Sequence, residues 1–348
     1  MSMSGPPPGT FPRRTFLLCG LAGAAAAGSA ELYHLHRHHH PRRRADGLYH
    51  QIRLAWPDAD NSPVLNVAAQ KNFLTHYNLD LLPFNNPPED GDEAITALAK
   101  GEASFAVAPA TTWLTHLNQG LAASLILGVQ PGTFRLLVRR ATGIQRLNQL
   151  LNRTVLVGEH NNAGKLFFAT MMRRKGMNSM EKINWKIVPD ATLTAPDTLA
   201  EADAVVTDDP QGWQLLSTQP GVFSELAGST TGAYSERTNL VLGISHTAPD
   251  TEADAATALT LALKDAAKWS RTHLQETATL MAQTSDGLNA QTIFRMLQKE
   301  PVIQAITGQK LREQVAQYCD ELQLLGLLPQ TADSSALAHR FTHNPLRN

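Results

Sequence analysis

A two-lobed α/β protein is what the sequence predicts, and three observations carry that prediction. Strand and helix patterns alternate along most of the chain, which argues mostly parallel sheets with helices on their faces. The 348 residues exceed a single core, so two lobes of roughly 150 residues each are expected. One alternating unit closes near Arg139 and a second opens at Thr154, dividing the chain at that place.

The first unit opens with a strand pattern at 52–56, stopped by Pro57. Ser62-Pro63 then starts a helix whose apolar side is Val64, Val67, Ala68 and Phe73. A second strand, 79–84, leads through the loop 85–91 into a helix at 93–100 closed by Gly101. A third strand, 104–108, ends at Pro109, and a helix carrying Trp113, Leu114 and Leu117 runs to Gly120. Strands at 124–129 and 134–138 flank the turn Gln130-Pro131-Gly132.

The second unit repeats the alternation. It predicts a strand at 154–157, a polar loop at 158–164, a helix at 165–175 ending at Gly176, and a strand at 183–188 closed by Pro189. A returning strand lies at 239–244. From Glu252 the chain is helical, with Ala255, Leu259, Ala262, Leu263, Ala266 and Trp269 on one stripe.

Four stretches carry a family resemblance: Ala68-Ala69-Gln70-Lys71-Asn72-Phe73, Asn78-Leu79-Asp80-Leu81, the run from Ala97 to Ala106, and the C-terminal run from Glu321 to Pro329. With the phrase Ala202-Asp203-Ala204-Val205-Val206-Thr207, they resemble the periplasmic substrate-binding proteins of ABC importers, in the branch that takes nitrate, sulfonates, taurine and thiamine-precursor pyrimidines. Asn72 and Asn78 stand where that family usually has glycine, and asparagine is the residue that next best tolerates a left-handed backbone. The resemblance implies a type II periplasmic binding protein fold, each lobe a mostly parallel sheet flanked by helices, with the ligand cleft between the lobes. It places lobe I at 49–139 plus 238–330, an interlobe crossing at 139–143, lobe II at 140–237 and a C-terminal tail at 331–348. It also implies a monomer that holds a small-molecule ligand and is recognised by the membrane subunits of an ABC importer.

The N-terminus reads as an address. Arg13-Arg14-Thr15-Phe16-Leu17-Leu18 matches a twin-arginine export motif, and the apolar run to Ala27 is short for a membrane span. Gly28-Ser29-Ala30 supplies small residues for cleavage, so 1–30 is expected to be a signal and the protein periplasmic. An uncleaved signal would instead anchor the chain. The linker 31–48 is rich in histidine (His34, His36, His38, His39, His40) and arginine (Arg42-Arg43-Arg44), which suits a solvated spacer or peripheral contact with anionic lipid. Histidine tracts can also bind zinc, nickel or copper, but nothing in this spacing fixes a tetrahedral geometry, so no metal ligand is assigned and metal binding by the tract stays open. Without the signal, Cys319 is the only cysteine and no intrachain disulfide can form. The net charge of −1 argues against nucleic acid as partner.

Open α/β sheets bind ligands at the carboxyl ends of their strands. That rule selects Trp56, Asp58 and Ser62 after the first strand, Pro109, Ala110 and Thr111 after the third, His160, Asn161 and Asn162 in the 158–164 loop, and Asp208, Asp209 and Trp213 after the strand near 207. Trp56 is the preferred aromatic contact; Trp113 and Trp213 lie in helical patterns that suit packing. Helix N-termini and the resemblance favour an anion such as a sulfonate or nitrate. Yet Asp58, Asp60, Glu159, Asp208 and Asp209 crowd the same loops against Lys165, His160 and Arg237, which favours a neutral or cationic, pyrimidine- or amine-like ligand. Both options stand at this level.

No catalytic motif is present: no Gly-x-Ser-x-Gly, no His-Glu-x-x-His, no Walker or dinucleotide fingerprint. A binder without catalytic residue or cofactor, using hinge closure for delivery, is therefore expected. Two alternatives accompany it. One is a thiamine-pyrimidine synthase using pyridoxal phosphate, for which Lys71 and His76 would be the residues to compare; the other is a ligand sensor anchored by an uncleaved signal.

Overall fold

The structure is a computed structural model that describes residues 47–84, 86–160, 162–247, 252–285 and 287–346. The export signal at 1–30, the linker up to residue 46 and Asn161 lie outside the described residues. The strands are β1 (His50–Ile52), β2 (Leu54–Ala55), β3 (Leu79–Leu81), β4 (Phe105–Pro109), β5 (Ala123–Pro131), β6 (Arg135–Arg139), β7 (Thr154–Gly158), β8 (Asn184–Val188), β9 (Ala204–Thr207), β10 (Phe223–Gly228) and β11 (Thr238–Ser245). Helices of eight residues or more are α1 (Pro63–Gln70), α2 (Gly91–Ala99), α3 (Ala110–Asn118), α4 (Asn162–Arg173), α5 (Gln211–Thr218), α6 (Glu252–Thr272), α7 (Leu274–Met281), α8 (Ala290–Leu297), α9 (Gly308–Leu324) and α10 (Ser334–Phe341).

Two sheets define two lobes. The four-stranded sheet has the order β2-β4-β11-β5 and the five-stranded sheet β10-β6-β9-β7-β8; β1 and β3 form a separate parallel pair. The expected stretch 52–56 is thus two strands, because the chain changes sheets at the exposed Arg53. Nor are the sheets mostly parallel. β11 runs antiparallel to β4 and β5, and β6 antiparallel to β9 and β10. Parallel neighbours need a crossover connection, whereas β6 and β11 arrive directly from the other lobe and enter against their neighbours.

That geometry also moves the interlobe crossing. β5 belongs to the first sheet and β6 to the second, so the chain crosses at 132–134 rather than at 139–143. Packing explains the difference: Phe134, Leu136 and Val138 are buried in the second lobe with Val155, Phe168 and Val206. Residues 331–348 are likewise more than a tail. α10 buries Leu337, Ala338 and Phe341 in the first lobe, and Thr342 bridges Leu125 of β5.

Local chemistry accounts for the elements near the cleft. Ser62 Oγ accepts from Leu65 N at 3.3 Å and Pro63 opens α1, where its missing N–H costs nothing. Asn72 and Asn78 take φ of 60° and 58°, the left-handed conformation expected of them. α4 begins at Asn162, earlier than the sequence pattern indicated, so the loop after β7 is short. Trp113 is core: its indole donates to Val241 O at 2.8 Å and its ring lies where a side chain at Gly243 would stand. Among the described residues, no helix is long and apolar enough to cross a membrane.

Candidate functional site

A cavity of about 520 Å³ opens between the two sheets. The first lobe contributes Trp56, Asp58 and Ser62 after β2, Glu89 and Asp90 before α2, and Pro109 at the end of β4. From the second come His160 after β7, Asp190 after β8, and Asp208, Asp209 and Gln211 after β9. The crossing segments, with Gln130, Thr133 and Asn239, complete the wall.

Several helix N-termini face this space; three have a side-chain acceptor from the chain itself, whereas α3 starts after Pro109 with none. Ser62 caps α1 and donates its hydroxyl to Gln130 Oε1 at 3.2 Å. Asp90 Oδ1 accepts from Glu93 N at 2.7 Å at the start of α2. Asp209 Oδ1 accepts from Trp213 N at 2.9 Å in the first turn of α5. Those positive ends already have carboxylate or hydroxyl partners.

The acids differ in their surroundings. Asp58 sits at φ 50° and accepts from Asn61 Nδ2 at 2.7 Å. Burial, aided by Asp60 and opposed by that hydrogen bond, pushes its carboxyl up to about 6. Burial and then the charges of Asp58 and Asp209 push Asp208 up to about 7. Both side chains still touch solvent in the cleft, although protein surrounds them on their other sides. Asp209 is different: its side chain is 1% exposed and forms a bidentate pair with Arg135, itself 5% exposed. Arg135 also donates to Glu225 Oε2 at 2.7 Å, and these two acids outweigh the burial that disfavours its charge. Glu300 joins this group from the first lobe; burial and Asp209 raise its carboxyl to about 8, against the pull of Arg135.

His160 Nδ1 lies 2.7 Å from Asp190 Oδ2. Gly158 at the end of β7 permits this approach, since a Cβ there would collide with the Asp190 carboxylate. Trp56 is 4% exposed and its Nε1–H has no partner among the described residues. Among the described residues, no group of three His, Cys, Asp or Glu is placed to hold a metal ion.

Of the residues selected from sequence, Trp56, Asp58, Ser62, Pro109, His160, Asp208 and Asp209 border the cavity. Ala110 and Thr111 lie deeper, buried in the first turn of α3, with Thr111 Oγ1 unpartnered among the described residues. Asn162 is exposed at the start of α4 and is not on the wall. Trp213 leaves the site altogether, packing against Ala278, Met281, Ile293 and Met296 of α7 and α8. Asn161 lies outside the described residues. Lys165 lies over the Trp185 ring at 6.0 Å, and Arg237 forms hydrogen bonds of 2.6 and 3.0 Å with Glu321. Sequence reasoning missed Glu89, Asp90 and Asp190, although the strand-end rule applied to β3 and β8 would have found them. It had no signal for Gln130, Thr133 and Asn239, which reach the cavity only because the chain crosses there.

A family model described as NMT1/THI5 like matches residues 60–277. No curated protein matches the chain in sequence. Among solved structures, the alkanesulfonate-binding protein SsuA of Xanthomonas axonopodis pv. citri, bound to MOPS, superimposes with a TM-score of 0.65 at 19% identity, covering 82% of this chain and 97% of that one. The periplasmic aliphatic sulphonate binding protein SsuA of Escherichia coli gives 0.67 at 16% identity, covering 85% and 92%. For the periplasmic nitrate-binding protein NrtA of Synechocystis PCC 6803 the values are 0.66, 13%, 86% and 87%. The fold is the two-lobed periplasmic binding protein fold.

Proposed function

Because the chain belongs to the NMT1/THI5-like family, we propose that it is an extracytoplasmic solute-binding protein that captures a small polar nutrient in the interlobe cleft and delivers it to an ABC importer. The observation that carries this reading is the cavity itself, walled by strand ends of both sheets and by both crossing segments. A ligand that touches both lobes stabilises the closed form by its greater affinity for it, and the importer's membrane subunits then read that form. The structural neighbours named for binding sulfonate and nitrate support a solute-binding role. The twin-arginine pattern supports export to the periplasm.

The synthase alternative gains nothing from the site. Lys71 lies outside the cavity, 3.3 Å from Glu276 and 4.7 Å from the Trp269 ring centroid. His76 is also outside it, against the edge of Tyr77.

Small-angle X-ray scattering tests the closure. Protein purified with its solute should be more compact than protein stripped by partial unfolding and refolding. Identical scattering curves from solute-bound and stripped protein would contradict capture by hinge closure.

A further inference from the structure

We infer that the cleft takes a small organic cation, a protonated amine that also carries a hydrogen-bond acceptor, rather than a sulfonate or nitrate. The inference rests on the solute-binding reading and names the ligand class of that same cavity.

Charge is the first observation. Asp58, Glu89, Asp90, Asp190 and Asp208 all border the cavity, and among the described residues no Lys or Arg does. The one basic side chain on the wall, His160, already faces Asp190 at 2.7 Å. The nearby guanidinium of Arg135 is held by Asp209 and Glu225 and is not part of the wall. An anion entering this space would meet Asp58, Glu89 and Asp208, which no basic side chain on the wall offsets, and that is costly; a cation would relieve their mutual repulsion.

Three of the helix ends point the same way. An anion site of this fold type would draw on free N–H groups at helix N-termini. Here Ser62, Asp90 and Asp209 each accept from one such N–H at α1, α2 and α5, whereas α3 starts after Pro109 without a side-chain cap.

Trp56 supplies an observation independent of the acids. Its side chain is 4% exposed, borders the cavity, and holds an indole N–H without an acceptor among the described residues. Buried donors are rarely left unpaired, so this one calls for an acceptor on the ligand. A bare metal ion offers none, and no three-residue metal cluster stands among the described residues. A hydroxyl, carbonyl or ring nitrogen beside an ammonium satisfies both demands.

The test is thermal unfolding of stripped protein near pH 8 with ethanolamine, 3-aminopropanol and histamine in one set, and ethanesulfonate, methanesulfonate and nitrate in the other. Zn²⁺ and Mg²⁺ form the third set. At least one amine should raise the melting temperature by about 5 °C at a concentration about a hundred times its Kd. Asp208→Asn should weaken that amine about tenfold or more, whereas Glu313→Gln, which changes an exposed acid on α9, should leave it unchanged. Stabilisation by ethanesulfonate or nitrate with the amines silent would overturn the cationic assignment and leave the solute-binding role standing. Stabilisation by a metal ion alone would overturn the organic cation. Silence in all three sets would remove the solute-binding reading and the inference with it.

Discussion

Arg135 on β6 and Asp209 after β9 meet through two hydrogen bonds of 2.7 Å each, and this pair anchors the wall of the cleft in the second lobe. Asp209 also accepts from Trp213 N in the first turn of α5, so the loop carrying Asp208 is held both to β6 and to α5. Thr133 on the crossing segment joins in: its Oγ1 accepts from Asp209 N at 3.1 Å. One ion pair thereby ties the crossing, the strand end and the helix start into one rigid edge.

Removing one partner of this pair leaves the other buried and unpaired. Arg135→Ala should therefore lower stability by about 3–5 kcal/mol, while Arg135→Met with Asp209→Asn should cost less. Urea denaturation of the three proteins reads the difference directly.

Trp56 contributes both packing and a donor, and two substitutions separate them. Trp56→Ala should cost about 3–5 kcal/mol, because the ring lies in the core with Val64, Phe105 and Leu127. Trp56→Phe keeps most of that contact and removes the N–H, so solute retention should fall more than the melting temperature does. Equal losses of binding and stability would make Trp56 a packing residue only.

The raised carboxyls at Asp58 and Asp208 carry a sign. Each holds its proton in the folded state at pH values where the unfolded chain, with an ordinary value of 3.8, has lost it. Their contribution to stability is present below about pH 4 and is lost as pH rises through about 6 for Asp58 and about 7 for Asp208. Melting curves of the stripped protein should show these two groups lowering stability from acid to mildly alkaline pH. Asp208→Asn should flatten the upper part of that slope and raise the melting temperature at alkaline pH.

Gly243→Ala tests the core of the first lobe. A methyl there would meet Trp113 Cη2 at 2.5 Å, and the expected cost is about 1–3 kcal/mol. Combining it with Trp113→Phe should recover part of the loss in thermal denaturation.

Local signals were legible in the sequence. Ser62-Pro63 starts α1, Asn72 and Asn78 turn left-handed, and the apolar stripe from Ala255 to Ala266 is the buried face of α6. Sheet membership was not, because Arg53, the turn before Arg135 and the return before Thr238 look locally like ordinary strand boundaries. Only their distant partners show which sheet each strand joins. The same reason explains the site. Trp56, Asp58 and Asp208 follow from a strand-end rule, whereas the pairing of Asp209 with Arg135 and the displacement of Trp213 onto α7 and α8 depend on residues far away in sequence.

Native mass spectrometry of the tag-free protein, purified without denaturation, tests the central claim most directly. The account predicts one small molecule per chain, released on unfolding, with Asp208→Asn retaining less of it. Pyridoxal phosphate bound through a lysine, or a protein that neither retains nor takes up any small solute, would contradict it.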